Sequence, residues 1–282
     1  MITKIGVLGA GQMGNGIAHV FAQFGYQVVL FDIAAAQLEK AVATIRQNLE
    51  RQAKKGAIPA ELITETMGRI TTTQNMADLA QADFAVEAVT ENEALKLEIF
   101  RQLDATVKEG AILASNTSSI PITKIASVTK RPDKVIGMHF MNPVPVMKLV
   151  EVIRGHATSD ETFETTATLV AKLEKEIAVS QDYPGFIVNR ILIPMINEAI
   201  FALYEGIATA EDIDKGMKLG TNQPMGPLTL ADFIGLDTVL AIANVLYEGF
   251  KDPKYRPCPL LVKMVNAGYM GKKSGRGFYI YQ

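Results

Sequence analysis

Three glycines near the start of the chain have the spacing that lets a backbone wrap around a phosphate group. Gly9, Gly11 and Gly14 form the pattern G-x-G-x-x-G. The first glycine of this pattern permits a tight turn, the second lets the backbone approach a pyrophosphate, and the third allows close packing of helix against strand. The N–H groups at the start of the following helix add an anion site. The pattern predicts a dinucleotide site, although FAD sites share the same fingerprint.

An acidic residue in the next predicted strand bears on which dinucleotide would bind. Asp32 follows the apolar run Val28–Phe31 and lies twenty-three residues after Gly9. Its carboxylate can accept hydrogen bonds from a ribose 2′-OH and would repel a 2′-phosphate. The sequence therefore favours NAD(H) over NADP(H).

One of the three histidines has surroundings that suit proton transfer. Pro145 lies in the loop between two apolar runs, and His139 in the first run and Glu151 in the second are each six residues from it. If the two runs pair as a hairpin whose turn is centred on Pro145, these two side chains stand opposite each other. A histidine can take the proton of an alcohol as hydride leaves carbon, and a carboxylate on its other nitrogen fixes the tautomer. The alternative is a core histidine bonded to backbone. His19 in the first helix and His156 in a loop suit structural or solvent-exposed roles better.

Further polar residues could bind substrate, but each has a structural alternative. Ser118 follows a predicted strand, where it could instead cap a turn. Asn189 opens the first helix of the second half of the chain, where it could be a surface amide. Arg51, Lys54 and Lys55 end a long predicted helix. They could form a phosphate-binding rim, or simply be solvated cations that suit the helix dipole.

The elements that must position these residues alternate between apolar strands and helices through the first 183 residues. This alternation predicts a Rossmann-type, doubly wound and mostly parallel sheet, whose ligands lie beyond the carboxyl ends of the strands. The loop between Phe140 and Met147 is too short for a crossover helix, so the strands Val135–Phe140 and Met147–Ile153 should pair antiparallel. An edge strand is expected at Gly68–Thr71. Residues 184–282 predict an all-helical second domain, with helical patterns over 186–205, 209–219, 227–247 and 259–267.

Composition narrows the function classes. The 282 residues carry a net charge of −2, so nothing points to nucleic acid. Cys258 is the only cysteine, which leaves no disulfide framework and no thiolate cluster. No cluster of histidine and cysteine suits a metal. With no signal peptide and no predicted membrane span, we expect a cytoplasmic protein.

Several longer motifs resemble those of the 3-hydroxyacyl-CoA dehydrogenases, and the likeness covers essentially the whole chain. They are Gly9–Gly14 with Asp32, Glu87–Asn92, Ser115–Ser119, Gly137–Pro143, Pro184–Arg190, Asp212–Asp214, Gly226–Leu228, Asp232–Asp237 and Gly271–Tyr279. The stand-alone length resembles the bacterial 3-hydroxybutyryl-CoA dehydrogenases.

The resemblance implies roles for particular residues. His139 matches the catalytic base, Glu151 its orienting partner, and Ser118 and Asn189 the residues that bind the substrate. Arg51, Lys54 and Lys55 fall where the family meets CoA, which favours the phosphate-binding rim. The positions implied to bind NAD are Gly9, Gly11, Gln12, Met13, Gly14, Asp32, Glu91, Lys96, Asn116, Asn142 and Lys273. Some relatives accept NADP, which leaves it as an alternative cofactor.

The implied reaction is the interconversion of (S)-3-hydroxybutyryl-CoA and acetoacetyl-CoA. A homodimer formed through the helical domain is also implied. The alternatives within the enzyme class are a longer-chain or dicarboxylic 3-hydroxyacyl-CoA dehydrogenase and a sugar-acid dehydrogenase. Outside it, a crystallin-like structural protein or a nucleotide-binding module remains.

Overall fold

The computed structural model describes residues 2–281 and divides the chain into two compact units. The boundary falls between Tyr183 and Pro184. Each unit contains its own cluster of buried apolar side chains.

The first unit is built on one sheet of eight strands. These are β1 (Lys4–Leu8), β2 (Gln27–Phe31), β3 (Ile70–Thr73), β4 (Phe84–Glu87), β5 (Ile112–Ser115), β6 (Val135–Phe140), β7 (Leu149–Arg154) and β8 (Glu176–Gln181). Their order across the sheet is β3-β2-β1-β4-β5-β6-β7-β8. The strands β1 to β6 are parallel, β7 is antiparallel to β6, and β8 is parallel to β7. The predicted doubly wound, mostly parallel sheet is confirmed.

Helices follow most strands of this unit. They are α1 (Gln12–Gln23), α2 (Ala35–Lys54), α3 (Glu61–Gly68), α4 (Glu93–Thr106), α5 (Ile122–Ala126) and α6 (Asp160–Lys172), with 3₁₀ turns at Met76–Leu79 and Pro132–Lys134. The central strands are apolar runs because helices cover both faces, and all four residues of β4 are buried. Phe21 of α1, Ile45 of α2 and Leu30 of β2 belong to the same core cluster.

The edge strand β3 differs from its predicted position. Gly68 ends α3 and Arg69 caps it, so the strand begins only at Ile70. Val28 N donates to Arg69 O at 2.8 Å, which starts the pairing of β2 with this edge. The prediction of a strand over Gly68–Thr71 was therefore early by two residues.

The second unit is helical, as predicted. Its helices are α7 (Val188–Tyr204), α8 (Ala210–Gly220), α9 (Pro227–Ile234), α10 (Leu236–Phe250) and α11 (Pro259–Asn266), with 3₁₀ turns at Pro253–Tyr255 and Lys272–Ser274. The continuous helical pattern over 227–247 is wrong. Gly235 has φ +99°, a left-handed conformation that stops the helix, and α9 and α10 are bent by 99°. Within residues 2–281 no single helix is long and apolar enough to cross a membrane; the bent pair α9 and α10 meets that test only when taken together.

Candidate active site

The loop that carries Gly9 and Gly11, which we name the glycine loop, connects β1 to α1. The structure shows why each glycine of the G-x-G-x-x-G pattern lacks a side chain. Gly9 has φ +94°, and a Cβ there would lie 2.7 Å from Ala88 O. A Cβ on Gly14 would lie 1.7 Å from Gly9 O, so only glycine lets the helix pass this close to the strand end. No other atom lies within 4 Å of a Cβ built on Gly11. The backbone at Gly11 is therefore open to an approaching phosphate.

Asp32 connects the glycine loop to the turn after β2. Its Oδ2 accepts a hydrogen bond from Ala10 N at 2.8 Å, and its Oδ1 accepts one from Ala34 N at 2.9 Å. A cavity of about 530 Å³ lies beside it, lined by Gly9, Gly11, Asp32, Val89 and Ile99 among others. Its largely apolar wall and the carboxylate of Asp32 suit the adenosine half of a dinucleotide. These residues fit NAD.

The histidine and glutamate singled out from the sequence form a close pair. His139 and Glu151 are direct partners in the antiparallel pairing of β6 and β7, as predicted. His139 Nδ1 lies 2.6 Å from Glu151 Oε2, with the carboxyl group fully buried and His139 9% exposed. His139 is the next-to-last residue of β6, so it lies at the carboxyl edge of the sheet with the glycine loop and Asp32.

Ser118 lies in the loop after β5, which we name the serine loop (residues 116–119). The carboxylate of Glu91 holds this loop from the end of β4. Glu91 Oε1 accepts hydrogen bonds from Ser118 N at 2.9 Å, from Thr117 Oγ1 at 2.6 Å and from Ser119 Oγ at 2.7 Å. Ser118 Oγ lies 3.3 Å from the same oxygen.

Glu91 is held in its charged form. Burial alone would raise its pKa, but the charge of Lys96 and the hydrogen bonds from the serine loop outweigh burial. The pKa of Glu91 is therefore lower than that of an ordinary glutamate, and the carboxylate is a strong acceptor at neutral pH.

Lys96 lies on α4 and is completely buried. Its Nζ lies 2.6 Å from Glu87 Oε1 and 3.3 Å from Glu91 Oε2. The sequence analysis missed the part played by Glu87 here. The available signal was a carboxylate that ends the fully buried strand β4, with a lysine nine residues later.

Two amides connect neighbouring loops at this edge. Asn116 Oδ1 accepts a hydrogen bond from Phe140 N at 2.9 Å, directly after His139. Gln12 Nε2 donates to Asn142 Oδ1 at 3.2 Å, which joins the start of α1 to the loop after β6. Met13 is half-buried against the core of the first unit.

The basic residues at the end of α2 are exposed. Arg51 and Lys54 occupy its last turn and Lys55 caps it. Their cations suit the helix dipole and remain accessible to an anion.

Two predicted site residues lie in the second unit. Asn189 is the second residue of α7 and only 8% exposed, so the alternative of a surface amide is wrong. Lys273 lies in the 3₁₀ turn Lys272–Ser274, where its Nζ donates to Asp237 Oδ2 at 2.7 Å. Residues 2–281 contain no group of three or more histidine, cysteine, aspartate or glutamate side chains that could hold a metal ion.

A parallel sheet with a glycine loop after its first strand and an acid after its second is typical of the NAD-binding dehydrogenases. Family models agree: "3-hydroxyacyl-CoA dehydrogenase, NAD binding domain" matches residues 4–183, and "3-hydroxyacyl-CoA dehydrogenase, C-terminal domain" matches residues 185–281. The chain belongs to the 3-hydroxyacyl-CoA dehydrogenase family. It is an NAD-dependent oxidoreductase, which confirms the family and the cofactor expected from the sequence.

Named relatives are similar over more than nine-tenths of their lengths. The 3-hydroxybutyryl-CoA dehydrogenase of Bradyrhizobium diazoefficiens is 57% identical over 282 residues, which cover 100% of this chain and 96% of the relative. The mitochondrial hydroxyacyl-coenzyme A dehydrogenase of Homo sapiens is 43% identical over 289 residues, covering 100% and 92%. The crystal structure of (S)-3-hydroxybutyryl-CoA dehydrogenase PaaH1 from Ralstonia eutropha has a TM-score of 0.98 and 52% identity, with 100% of both chains covered.

Proposed function

We propose that this enzyme interconverts (S)-3-hydroxybutyryl-CoA and acetoacetyl-CoA, with His139 as the general base and acid. The observation that carries the proposal is the 2.6 Å contact between His139 Nδ1 and the buried carboxylate of Glu151. The names of relatives such as the Bradyrhizobium diazoefficiens enzyme support the substrate.

The pair suits proton transfer at the substrate's 3-hydroxyl. With the proton of Nδ1 donated to Glu151, the Nε2 atom of His139 carries the lone pair that would accept the hydroxyl proton of the substrate. The carboxylate then stabilises the imidazolium, which returns the same proton when the ketone is reduced. The hydride acceptor for the 3-carbon would be supplied by bound NAD⁺. Ser118 and Asn189 are proposed to bind the substrate's oxygens.

The cofactor contacts follow the same proposal. The residues proposed to hold NAD are Gly9, Gly11, Gln12, Met13, Gly14, Asp32, Glu91, Lys96, Asn116, Asn142 and Lys273. We propose that Arg51, Lys54 and Lys55 bind the phosphates of CoA, since all three are exposed cations on one helix end.

Substitution of the pair tests the catalytic roles. His139→Ala should lower kcat by roughly a hundredfold or more, because the general base is lost. The Kd for NADH should stay unchanged. Glu151→Gln should slow turnover roughly tenfold or more because the imidazole loses its orienting charge. Steady-state kinetics and NADH fluorescence titration measure both quantities. His156→Ala, an exposed histidine of the same unit, is the matched control and should leave kcat unchanged.

The substrate is tested by following NADH consumption with acetoacetyl-CoA, longer 3-ketoacyl-CoAs and free acetoacetate. The highest kcat/KM should belong to acetoacetyl-CoA. If His139→Ala kept the full kcat, His139 would not be the general base. If free acetoacetate were turned over as well as acetoacetyl-CoA, the proposal that the substrate is a CoA ester would be wrong.

A further inference from the structure

The loop that joins β6 to β7, which we name the hairpin loop (residues 141–148), packs against α1. Gln12 Nε2 donates to Asn142 Oδ1 at 3.2 Å. Two residues further on, Val144 is only 2% exposed, and a Cβ built on Gly16 of α1 would lie 2.8 Å from Val144 Cβ. The hairpin loop therefore lies directly on the backbone of the helix that follows the glycine loop, with Asn142 beside the first residue of that helix.

A lysine from another part of the chain holds the hairpin loop in this place. Lys175 lies between α6 and β8, and its Nζ donates to Val144 O and to Met147 O, both at 2.7 Å. Hydrogen bonds from an ammonium group are stronger than those between uncharged groups. The next residue, Glu176, adds a backbone bond from its N to Lys148 O at 2.9 Å. The start of β8 is thus attached to the hairpin loop at three carbonyl groups, two of them through Lys175.

The remaining contacts of the hairpin loop are less suited to fix it. Val146 is 72% exposed and Met147 41% exposed, and the hydrogen bond between Gln12 and Asn142 is open to solvent. Water competes for such a bond, so its net contribution is small. Without the ammonium of Lys175, the packing of Val144 on α1 would be the main restraint near Asn142, and the amide of Asn142 would shift relative to α1.

The proposed catalytic pair is held independently of this lysine. The strands β6 and β7 pair at four successive positions, and the pairing of His139 with Glu151 is one of them. A shift of the hairpin loop would therefore change the binding of the cofactor and leave the transfer of the proton between His139 and the substrate as it is.

We propose that Lys175 is a positioning residue for the cofactor, which acts through the carbonyl groups of the hairpin loop on Asn142 and so on the affinity for NAD(H). The contacts run from Lys175 through Val144 and Met147 to the segment that carries Asn142. Lys175 itself is not among the residues proposed to hold NAD. The inference rests on the proposed function in one respect, the contact of Asn142 with the cofactor.

Three variants test the role of this ammonium group. Lys175→Met removes it and keeps most of the aliphatic side chain. One of the two hydrogen bonds is exposed and the other part-buried, so water can replace the donors and the protein should still fold. Lys175→Arg keeps a cation with several N–H donors. Lys172→Met is the matched control, because Lys172 is an exposed lysine in the last turn of α6.

The loss should appear in cofactor affinity and not in turnover. In Lys175→Met the Kd for NADH should rise about fivefold, and the KM for NADH with it. The value of kcat and its pH profile should stay within about twofold of the parent, because the catalytic pair is unchanged. Lys175→Arg and Lys172→Met should keep the Kd for NADH within about twofold. Fluorescence titration with NADH and steady-state kinetics measure these quantities.

A double-mutant cycle separates positioning from direct binding. Asn142→Ala should raise the Kd for NADH about tenfold in the parent but less than about threefold in the Lys175→Met background, because a displaced amide has less affinity to lose. If Lys175 bound the cofactor itself, or attracted it only by charge, Asn142→Ala would cost the same in both backgrounds.

Four results would overturn the proposal. An unchanged Kd for NADH in Lys175→Met, or an equal cost of Asn142→Ala in both backgrounds, would separate Lys175 from Asn142 and leave the proposed function intact. An equal loss of affinity in Lys172→Met would make charge alone the cause. If Asn142→Ala had no effect in the parent, this inference and the contact of Asn142 with NAD would both fail, whereas the proposed roles of His139 and Glu151 would stand.

Discussion

At the scale of single residues, Asp32 has a structural role besides the recognition role proposed for it. Its two oxygens bind backbone N–H groups on both sides of it, at Ala10 in the glycine loop and at Ala34 before α2. The shape of the cavity therefore depends on the same carboxylate that would meet the ribose. Alanine at this position would remove both effects together, so a closer substitute is needed to isolate the charge.

Asp32→Asn should relax the preference for NADH over NADPH. It keeps the side-chain shape and one acceptor but removes the charge that would repel a 2′-phosphate. We expect the ratio of kcat/KM for NADPH to that for NADH to rise roughly tenfold, which corresponds to about 1.4 kcal/mol of repulsion. Glu39→Gln, an exposed acid on α2, should leave the ratio unchanged. An unaltered ratio in Asp32→Asn would remove the proposed role of this charge.

His19 is a second residue whose burial has a measurable effect. It lies inside α1 and is fully buried, with its Nε2 atom 3.4 Å from Gln52 Nε2. Burial lowers the pKa of His19 to about 4, a hydrogen bond with Gln23 opposes this shift, and the charge of Lys175 adds to it. The folded protein therefore keeps this imidazole neutral where the unfolded chain, with a pKa of 6.5, would protonate it.

The depressed pKa of His19 predicts acid sensitivity. Its contribution to the free energy of unfolding is complete above pH 6.5 and is lost as the pH falls toward 4, because the unfolded state binds the proton first. Between pH 7.5 and 5 the loss should be about 2 kcal/mol. Urea unfolding at both pH values should show this loss in the parent and its absence in His19→Leu. Identical pH dependence in the two proteins would mean that His19 is not the sensitive group.

At the scale of elements, two buried aspartates organise the second unit. Asp214 accepts hydrogen bonds from Leu228 N at 2.8 Å and Thr229 N at 2.9 Å, which caps the start of α9 from α8. Asp232 accepts from Phe278 N and Tyr279 N, both at 3.0 Å, and so holds the segment that contains these two residues. Burial and these carboxylates raise the pKa values of Tyr279 and Tyr281, so both phenols stay protonated.

Asp232→Asn should loosen the C-terminal segment. The amide can accept only through one oxygen, so a partly buried backbone N–H loses its partner at a cost of roughly 1–3 kcal/mol. We expect a lower free energy of unfolding and faster carboxypeptidase digestion. Asp252→Asn, at an exposed cap of the same unit, is the control and should change both much less. Digestion at the parent rate would show that other contacts hold the segment.

Elements also show where sequence reasoning worked and where it failed. The central strands were predictable because burial on both faces leaves a run of apolar residues, and the β6–β7 hairpin because its loop has no room for a helix. The end of α9 at Gly235 was not predictable from the sequence. Leu228 and Ala231 before it and Val239 after it keep the apolar spacing of one continuous helix. The ion pairs of Lys96 were hidden for a similar reason, because a lysine near a helix start usually lies on the surface.

At the scale of the whole molecule, we propose that two copies of this chain form a homodimer through the helical unit, as the resemblance to the family implies. Exposed apolar side chains on that unit include Ile191 (66% exposed) and Ile207 (72% exposed). Sedimentation analysis of the parent should give twice the mass of one chain, and Ile191→Glu should shift the distribution toward a single chain. Ile177→Glu, in the first unit, serves as the control. A parent that sediments as a single chain would contradict the proposed dimer.

The direct pairing of His139 with Glu151 also constrains how the gene can change. Side chains along a strand alternate between faces, so an insertion or deletion of one residue that shifted the pairing would turn one partner away from the other. Apart from Asn142, which is proposed to hold NAD, the connecting segment can therefore change in composition more freely than in length. Surface loops such as residues 56–60 do not set the register of two strands, so a change of one residue in their length turns no side chain to the other face of a sheet. Across descendants of this gene that keep the activity, we expect length variation to accumulate there and to be absent between the two strands.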